Sequence, residues 1–270
     1  MRQSFLRVFL VATAALLLLG RVEAARVYNN LGMIILSRGL IGSQNSPPTI
    51  EIQLSALNQA QTFFGEAVSH APGHAQFVRN LLTVHLRRGD LYGEVEDWDR
   101  AIESYRAALD VDETSAEAYR KIGEIYVYHK PQEPQYLDQA IQYLEKAVAL
   151  SPSFGYQRIA LGHALWFRGR TLEAIDQLKA SISLSPNGFN WTVLGGFYGA
   201  EEDWESAIVC YKNALPFDPD RVDTWFGLGI AYAGKGEGAE AISAWRKAIQ
   251  LAPGSEVARA AGLKITELGK

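Results

Sequence analysis

Cysteine is nearly absent. Cys210 is the only one in 270 residues, which rules out an internal disulfide and a cysteine-rich metal site, and one thiol does not identify the redox compartment. Flanked by Val209 and Tyr211 within a helical pattern, it reads as an inert thiol. Histidine is scarce at five, and His70 and His74 are separated by Pro72 and Gly73, so they cannot share a helical face as a metal pair would. His163 lies near Trp166 and Phe167 with no acid or base partner alongside, a setting for a binding residue more than for a catalytic base. No glycine-rich phosphate loop is written; Gly195, Gly196 and Gly199 follow helical spacing and read as packing glycines. A net charge of −4 and a pI near 5.8 do not supply the concentrated basic surface that nucleic acid demands. These absences leave no expected catalytic residues, metal or cofactor, and the chain reads as non-enzymatic.

What is present is a repeat. Trp191, Leu194, Gly195, Tyr198, Ala207, Tyr211, Ala214 and Pro219 recur as Trp225, Leu228, Gly229, Tyr232, Ala241, Trp245, Ala248 and Pro253, every pair separated by the same interval. Trp225, Leu228, Gly229 and Tyr232 fall at i, i+3, i+4 and i+7, one stripe of a helix; Ala241, Trp245 and Ala248 make a second. Between them Gly234, Gly236 and Gly238 stop the first helix, and Pro253 ends the second, so each copy predicts a helical hairpin. A glycine inside a helix costs about 1 kcal/mol against alanine, so Gly229 signals close packing.

This pattern resembles the tetratricopeptide repeat family. The resemblance implies an all-α fold, a right-handed superhelical solenoid of antiparallel helix pairs. Six units are expected, at about residues 25–74, 75–115, 116–154, 155–187, 188–221 and 222–255. The first carries Tyr28, Leu31, Gly32 and Ile35, then Ala60, Phe64, Ala67 and Pro72, with a long insertion between its helices that includes the polar loop Ser43 to Pro48. The second is the weakest: Val78, Leu81, Leu82 and His85 stand for the first helix, and a shorter insertion is placed at Leu91 to Asp97 before Ala101, Tyr105 and Ala108. The third has a few extra residues about Pro131 and Pro134; in the fourth, Arg158 takes the aromatic's place. Residues 256–270 read as a capping helix with Val257, Ala260, Ala261 and Leu263 inward.

The N-terminus differs in kind. Arg2 and Arg7 precede an apolar run from Val8 to Leu19, well short of the roughly 20 residues a spanning helix needs. With Val22-Glu23-Ala24 following, residues 1–24 read as a signal peptide cleaved before Ala25, or as an uncleaved signal anchor, the one route to membrane contact. Either places the repeats outside the cytoplasm: periplasmic, cell-surface or secreted.

The resemblance also implies a concave groove, lined by the first helices, that holds a protein or peptide. Mapped by position, the first three repeats offer Asn29, Arg79, Asn80, Arg87, Arg120 and Lys121, a basic and amide-bearing end. The last three offer Tyr156, His163, Trp166, Phe167, Phe189 and Phe226, an aromatic end. The expected partner is a protein or peptide, and one with an acidic segment beside apolar side chains would suit both ends. The alternative keeps the fold and makes the aromatic end a glycan-binding or cell-envelope module. Asn190-Trp191-Thr192 has the form of a glycosylation acceptor, but it opens a helix whose tryptophan is expected to be buried.

Overall fold

A computed structural model describes residues 21–41, 48–130 and 134–269. These residues form thirteen α-helices and no strand. They are α1 (Arg21–Ile41), α2 (Ile50–His70), α3 (Ala75–Glu94), α4 (Trp98–Val111), α5 (Ala116–Tyr128), α6 (Pro134–Leu150) and α7 (Gly155–Phe167). They continue with α8 (Thr171–Leu184), α9 (Gly188–Ala200), α10 (Trp204–Ala214), α11 (Val222–Gly234), α12 (Gly238–Leu251) and α13 (Glu256–Leu268). The chain divides into two compact units, residues 1–125 and 126–270. In the first, α1 packs with α2, α2 with α3 and α3 with α4; in the second, α6 to α13 pack in succession. No described helix is long and apolar enough to cross a membrane.

One packing device recurs in both units. A Cβ added at Gly32, Gly89, Gly162, Gly195 or Gly229 would lie 2.4–2.9 Å from the side chain of Phe64, Tyr105, Leu178, Tyr211 or Trp245, respectively. A glycine on the first helix of each pair thus receives a large side chain from the second, and the helix axes close up around it. Trp245 shows the outcome: it is 1% exposed, and its indole N–H donates to the Phe226 carbonyl at 3.2 Å. A second device sets the turn. Two helical turns after four of these glycines the chain enters the left-handed region, at Glu96 (φ 59°), Gly169 (φ 80°), Glu202 (φ 59°) and Gly236 (φ 85°). Helix starts are capped by side chains, Asp97 accepting from the Arg100 amide and Asp203 from the Ser206 amide at 3.2 and 3.1 Å.

These devices correct the second repeat. Its close-packing glycine is Gly89, which Tyr105 faces at the same sequence interval that Tyr211 keeps from Gly195, and its left-handed residue is Glu96. The extra residues therefore do not lie between the helices at Leu91 to Asp97. Leu91 to Glu94 belong to α3 and Asp97 caps α4, so the extra residues form added turns at the start of α3. The first repeat's insertion is largely helical as well. Helix α1 continues from Gly32 to Ile41 and α2 begins at Ile50, well before Ala60, and a Cβ at Gly39 would meet that of Ala56 at 2.0 Å, so close packing continues along the added turns. The loop expected at Ser43 to Pro48 falls outside the described residues except for Pro48.

Other expectations shift in detail. The segment read as signal or anchor lies outside the described residues up to residue 20; Arg21 to Ala24 form the first turn of α1, where Ala24 and Ala25 are buried. In the capping helix α13, Ala258 and Ala261 are buried and Ile265 packs against the cluster of Ala241, Trp245 and Ala261, whereas Leu263, expected inward, is 66% exposed. Packing explains Gly195 but not its neighbours. A Cβ at Gly196 would meet only the Tyr211 hydroxyl at 3.9 Å, and one at Gly199 only Trp204 at 4.0 Å.

Candidate partner-binding faces

In the first unit the polar residues of α1, α3 and α5 are mostly paired with one another. Gln76 donates to the Asn80 carbonyl at 2.8 Å, and Asn80 donates to that of Asn29 at 2.6 Å, an amide chain linking α3 to α1. Lys121 holds Asp90 at 2.7 Å, and Asp90 also accepts from the Tyr105 hydroxyl at 2.8 Å. Burial, together with that bond, raises the Tyr105 pKa, which keeps its proton on the hydroxyl. Arg120 is paired with Glu124 at 2.6 Å, both side chains less than one-fifth exposed. Arg79 and Arg87 are exposed on α3. Of the cations expected to make a basic surface, Arg120 and Lys121 are thus already neutralised, while Arg79 and Arg87 face solvent.

Beneath this surface lies a polar cluster that the residue pattern did not announce. Arg88 occupies the place of the repeat's leucine and donates to Gln61 Oε1 at 2.6 Å, Ser104 Oγ at 3.2 Å and His85 Nδ1 at 3.2 Å. Because a guanidinium can only donate, Nδ1 accepts and the imidazole proton sits on Nε2. Burial, with Arg88 adding to it, lowers His85 to about 4, so the ring is neutral at neutral pH.

In the second unit the aromatic residues of α7 do come together. Trp166 stacks on Phe197 with centroids 5.3 Å apart and lies 5.2 Å from Phe167. His163 meets Phe197 edge-on at 5.6 Å and shares a 2.6 Å hydrogen bond with the Tyr128 hydroxyl. Burial lowers the His163 pKa. Phe167 and Tyr128 remain 47% and 44% exposed, so the cluster has a buried base and an open rim. Tyr156 and Phe189, also exposed, sit at the starts of α7 and α9, with Arg221 placed 5.7 Å over the Phe189 ring. Phe226 is partly buried and packs against the cluster that holds Trp245. Two members were missed from sequence. Tyr128 stands to Gly123 as Phe167 stands to Gly162, so the spacing could have found it. Phe197 falls one position off the pattern and carried no signal.

The arrangement offers surfaces for contact. Among the described residues no three histidine, cysteine or acidic side chains stand close enough to hold a metal ion. Cys210 is buried, and desolvation pushes its thiol up to about 12. Asn190 is 2% exposed and donates to Ser181 Oγ at 3.2 Å and the Ser185 carbonyl at 3.1 Å, so the folded chain hides that amide from glycosylation. Its neighbour Trp191, expected inside, is partly exposed.

Stacked helical hairpins built on a glycine facing a large side chain define an α-helical repeat protein. The family described as "TPR repeat" matches residues 89–128 and 198–236, and two further patterns described as "Tetratricopeptide repeat" match 222–255 and 135–154. The chain carries tetratricopeptide repeats at these residues. It is similar to Superkiller protein 3 of Saccharomyces cerevisiae, with 35% identity over 75 residues that make up 28% of this chain and 5% of that protein. It is also similar to the peroxisomal targeting signal receptor of Candida albicans, 23% identical over 193 residues, which are 56% of this chain and 32% of the receptor. The chain therefore spans a third or less of these relatives. Among solved structures, the crystal structure of MamA protein matches with a TM-score of 0.55 and 27% identity, covering 63% of this chain and 91% of MamA.

Proposed function

We propose that this chain is a non-enzymatic interaction scaffold or assembly factor that takes a peptide or protein segment on its first-helix faces. The observation that carries the reading is the aromatic cluster formed by α7, α9 and the last residue of α5. Its open rim, Tyr128 and Phe167, exposes large apolar surface that the hairpin cores do not use. Half-exposed aromatics around a rigid base are the surfaces that dominate binding energy at protein interfaces. The name of one relative, a targeting signal receptor, agrees with peptide recognition.

Arg79 and Arg87 lie beside that face with open side chains and would meet an acidic portion of the partner; Lys121, which Asp90 already holds, would not. The test is capture from an extract of the native source on immobilised chain. Phe167→Ala combined with Tyr128→Ala should lose the specifically retained protein, and Arg79→Glu with Arg87→Glu should weaken retention in a salt-dependent way. Capture unchanged by the first pair sinks the peptide-face reading; retention of sugar in place of protein replaces it with the glycan one. Export remains a proposal resting on the run Val8 to Leu19. A native mass beginning at Met1 with the chain recovered from the cytoplasm overturns it.

A further inference from the structure

A cleft in the second unit is formed by α8, α9 and α10, away from the rim of the aromatic cluster. It encloses ≈ 430 Å³ and is lined by Lys179 and Ile182 of α8, Trp191 and Leu194 of α9, and Val209 and Cys210 of α10. The volume lies within the roughly 300–1,000 Å³ of small-ligand sites. Its base is apolar and firm: Leu194, Cys210 and Ile182 are all less than 9% exposed, whereas Val209 is 56% exposed. Glu205, the acid on its border, lies 3.7 Å from Lys235.

Two polar groups give the cleft its chemistry. Trp225, the counterpart of Trp191 one repeat on, donates its indole N–H to the Pro219 carbonyl at 2.7 Å, while Trp191 makes no such bond among the described residues. Lys179 stands 5.8 Å over the Tyr198 ring, where the Tyr198 hydroxyl and, more weakly, the Asp176 carboxylate raise its pKa, and it forms no ion pair among the described residues. An ammonium and an indole donor beside an apolar base are complementary to one kind of molecule: a negatively charged acceptor joined to an apolar body.

We infer that this cleft is a binding site for an apolar monocarboxylate, its carboxylate between Lys179 and the Trp191 indole and its apolar part over Leu194, Ile182 and Cys210. Two sources share that chemistry, a short acyl chain and the C-terminal residue of a polypeptide, and octanoate and N-acetylphenylalanine stand for them. Titration of the full chain is followed by tryptophan fluorescence and by calorimetry. Saturable binding of either probe is expected, with the fluorescence change lost in Trp191→Phe and the affinity at least tenfold weaker in Lys179→Glu. Lys212 stands over Tyr232 at 5.5 Å in the next repeat, so Lys212→Glu is the matched control and should leave affinity unchanged. Val209→Glu, at an exposed position, should also weaken binding without loss of helical circular dichroism. Binding of octanoate alone assigns the acyl source and of N-acetylphenylalanine alone the peptide source. No binding of either at millimolar concentration, or binding that Lys179→Glu and Lys212→Glu affect equally, overturns the assignment.

Discussion

Gly195 and Gly196 are neighbours in α9, and replacing each by alanine should move stability in opposite directions. Both lie inside a helix, so each substitution gains about 1 kcal/mol of helix propensity. The surroundings differ. At Gly195 the new Cβ would lie 2.9 Å from the Tyr211 ring, and that ring is also packed closely on Gly227 of α11, where a Cβ would sit 2.5 Å from it. Forcing a methyl into such a site costs about 1–3 kcal/mol. At Gly196 the methyl finds only the Tyr211 hydroxyl, at an ordinary 3.9 Å. Gly196→Ala should therefore stabilise by nearly the whole propensity gain, and Gly195→Ala should destabilise. Propensity cancels in the comparison, leaving a packing difference of about 2 kcal/mol between adjacent positions. In urea, with a slope of about 2 kcal/mol per molar, the two midpoints should stand roughly 1 M apart. Repeat arrays can lose cooperativity, so fluorescence and circular dichroism should be recorded together and the slopes shown to agree. Coincident midpoints, or Gly195→Ala the more stable variant, would refute the reasoning.

Ser181 fills an alanine position of the repeat, yet its fully buried hydroxyl donates to the Gly155 carbonyl at 2.8 Å and accepts from Asn190; Ser181→Ala should cost about 1–3 kcal/mol in thermal or urea unfolding through the groups left unpaired. Glu202 holds φ 59° at the position that Gly169 and Gly236 occupy in two of the other turns, so Glu202→Gly should be neutral to stabilising by up to about 1 kcal/mol, whereas Gly236→Glu should destabilise. His85, at about 4 in the folded chain, is lowered from 6.5, so the unfolded chain binds the extra proton first; its contribution is complete above pH 6.5 and is lost as pH falls toward 4. Urea midpoints of the wild type should decline over that window more steeply than those of His85→Gln.

Much of the fold was legible because it repeats. Eight residues written twice at one spacing require the same hairpin twice, and the all-helical array follows. The aromatic face was legible in part, since His163, Trp166 and Phe167 lie on one short helix where helical period alone groups them. What periodicity cannot show is pairing between elements. Lys121 and Asp90 lie on different helices, as do many pairs that never meet, and nothing in their types distinguishes a cation free for a partner from one already held. Gly196 was misread for the same reason: a glycine at helical spacing looks alike whether a ring faces it or solvent does.

The misplaced insertion has a sharper cause. Val78, Leu81, Leu82 and His85 satisfy i, i+3, i+4 and i+7, and so does a frame starting at His85, with that histidine in the aromatic's place and Gly89 in the glycine's. A shift of one heptad turns an α-helix to within about 20° of two full revolutions, so both frames share one face and the apolar stripe cannot choose between them. Only features that look outward from the helix can: a glycine answered by a ring on the following helix, and a left-handed residue at the turn between them. Gly89 with Tyr105 and Glu96 meets both conditions, and Leu82 is answered by neither. The shift carries into the proposed binding face. Arg79 and Asn80 sit on or beside the added turns, outside the frame's face positions, which fall instead at Thr83, Leu86 and Asp90. The face position nearest α5 is therefore an acid, and it is the acid that neutralises Lys121.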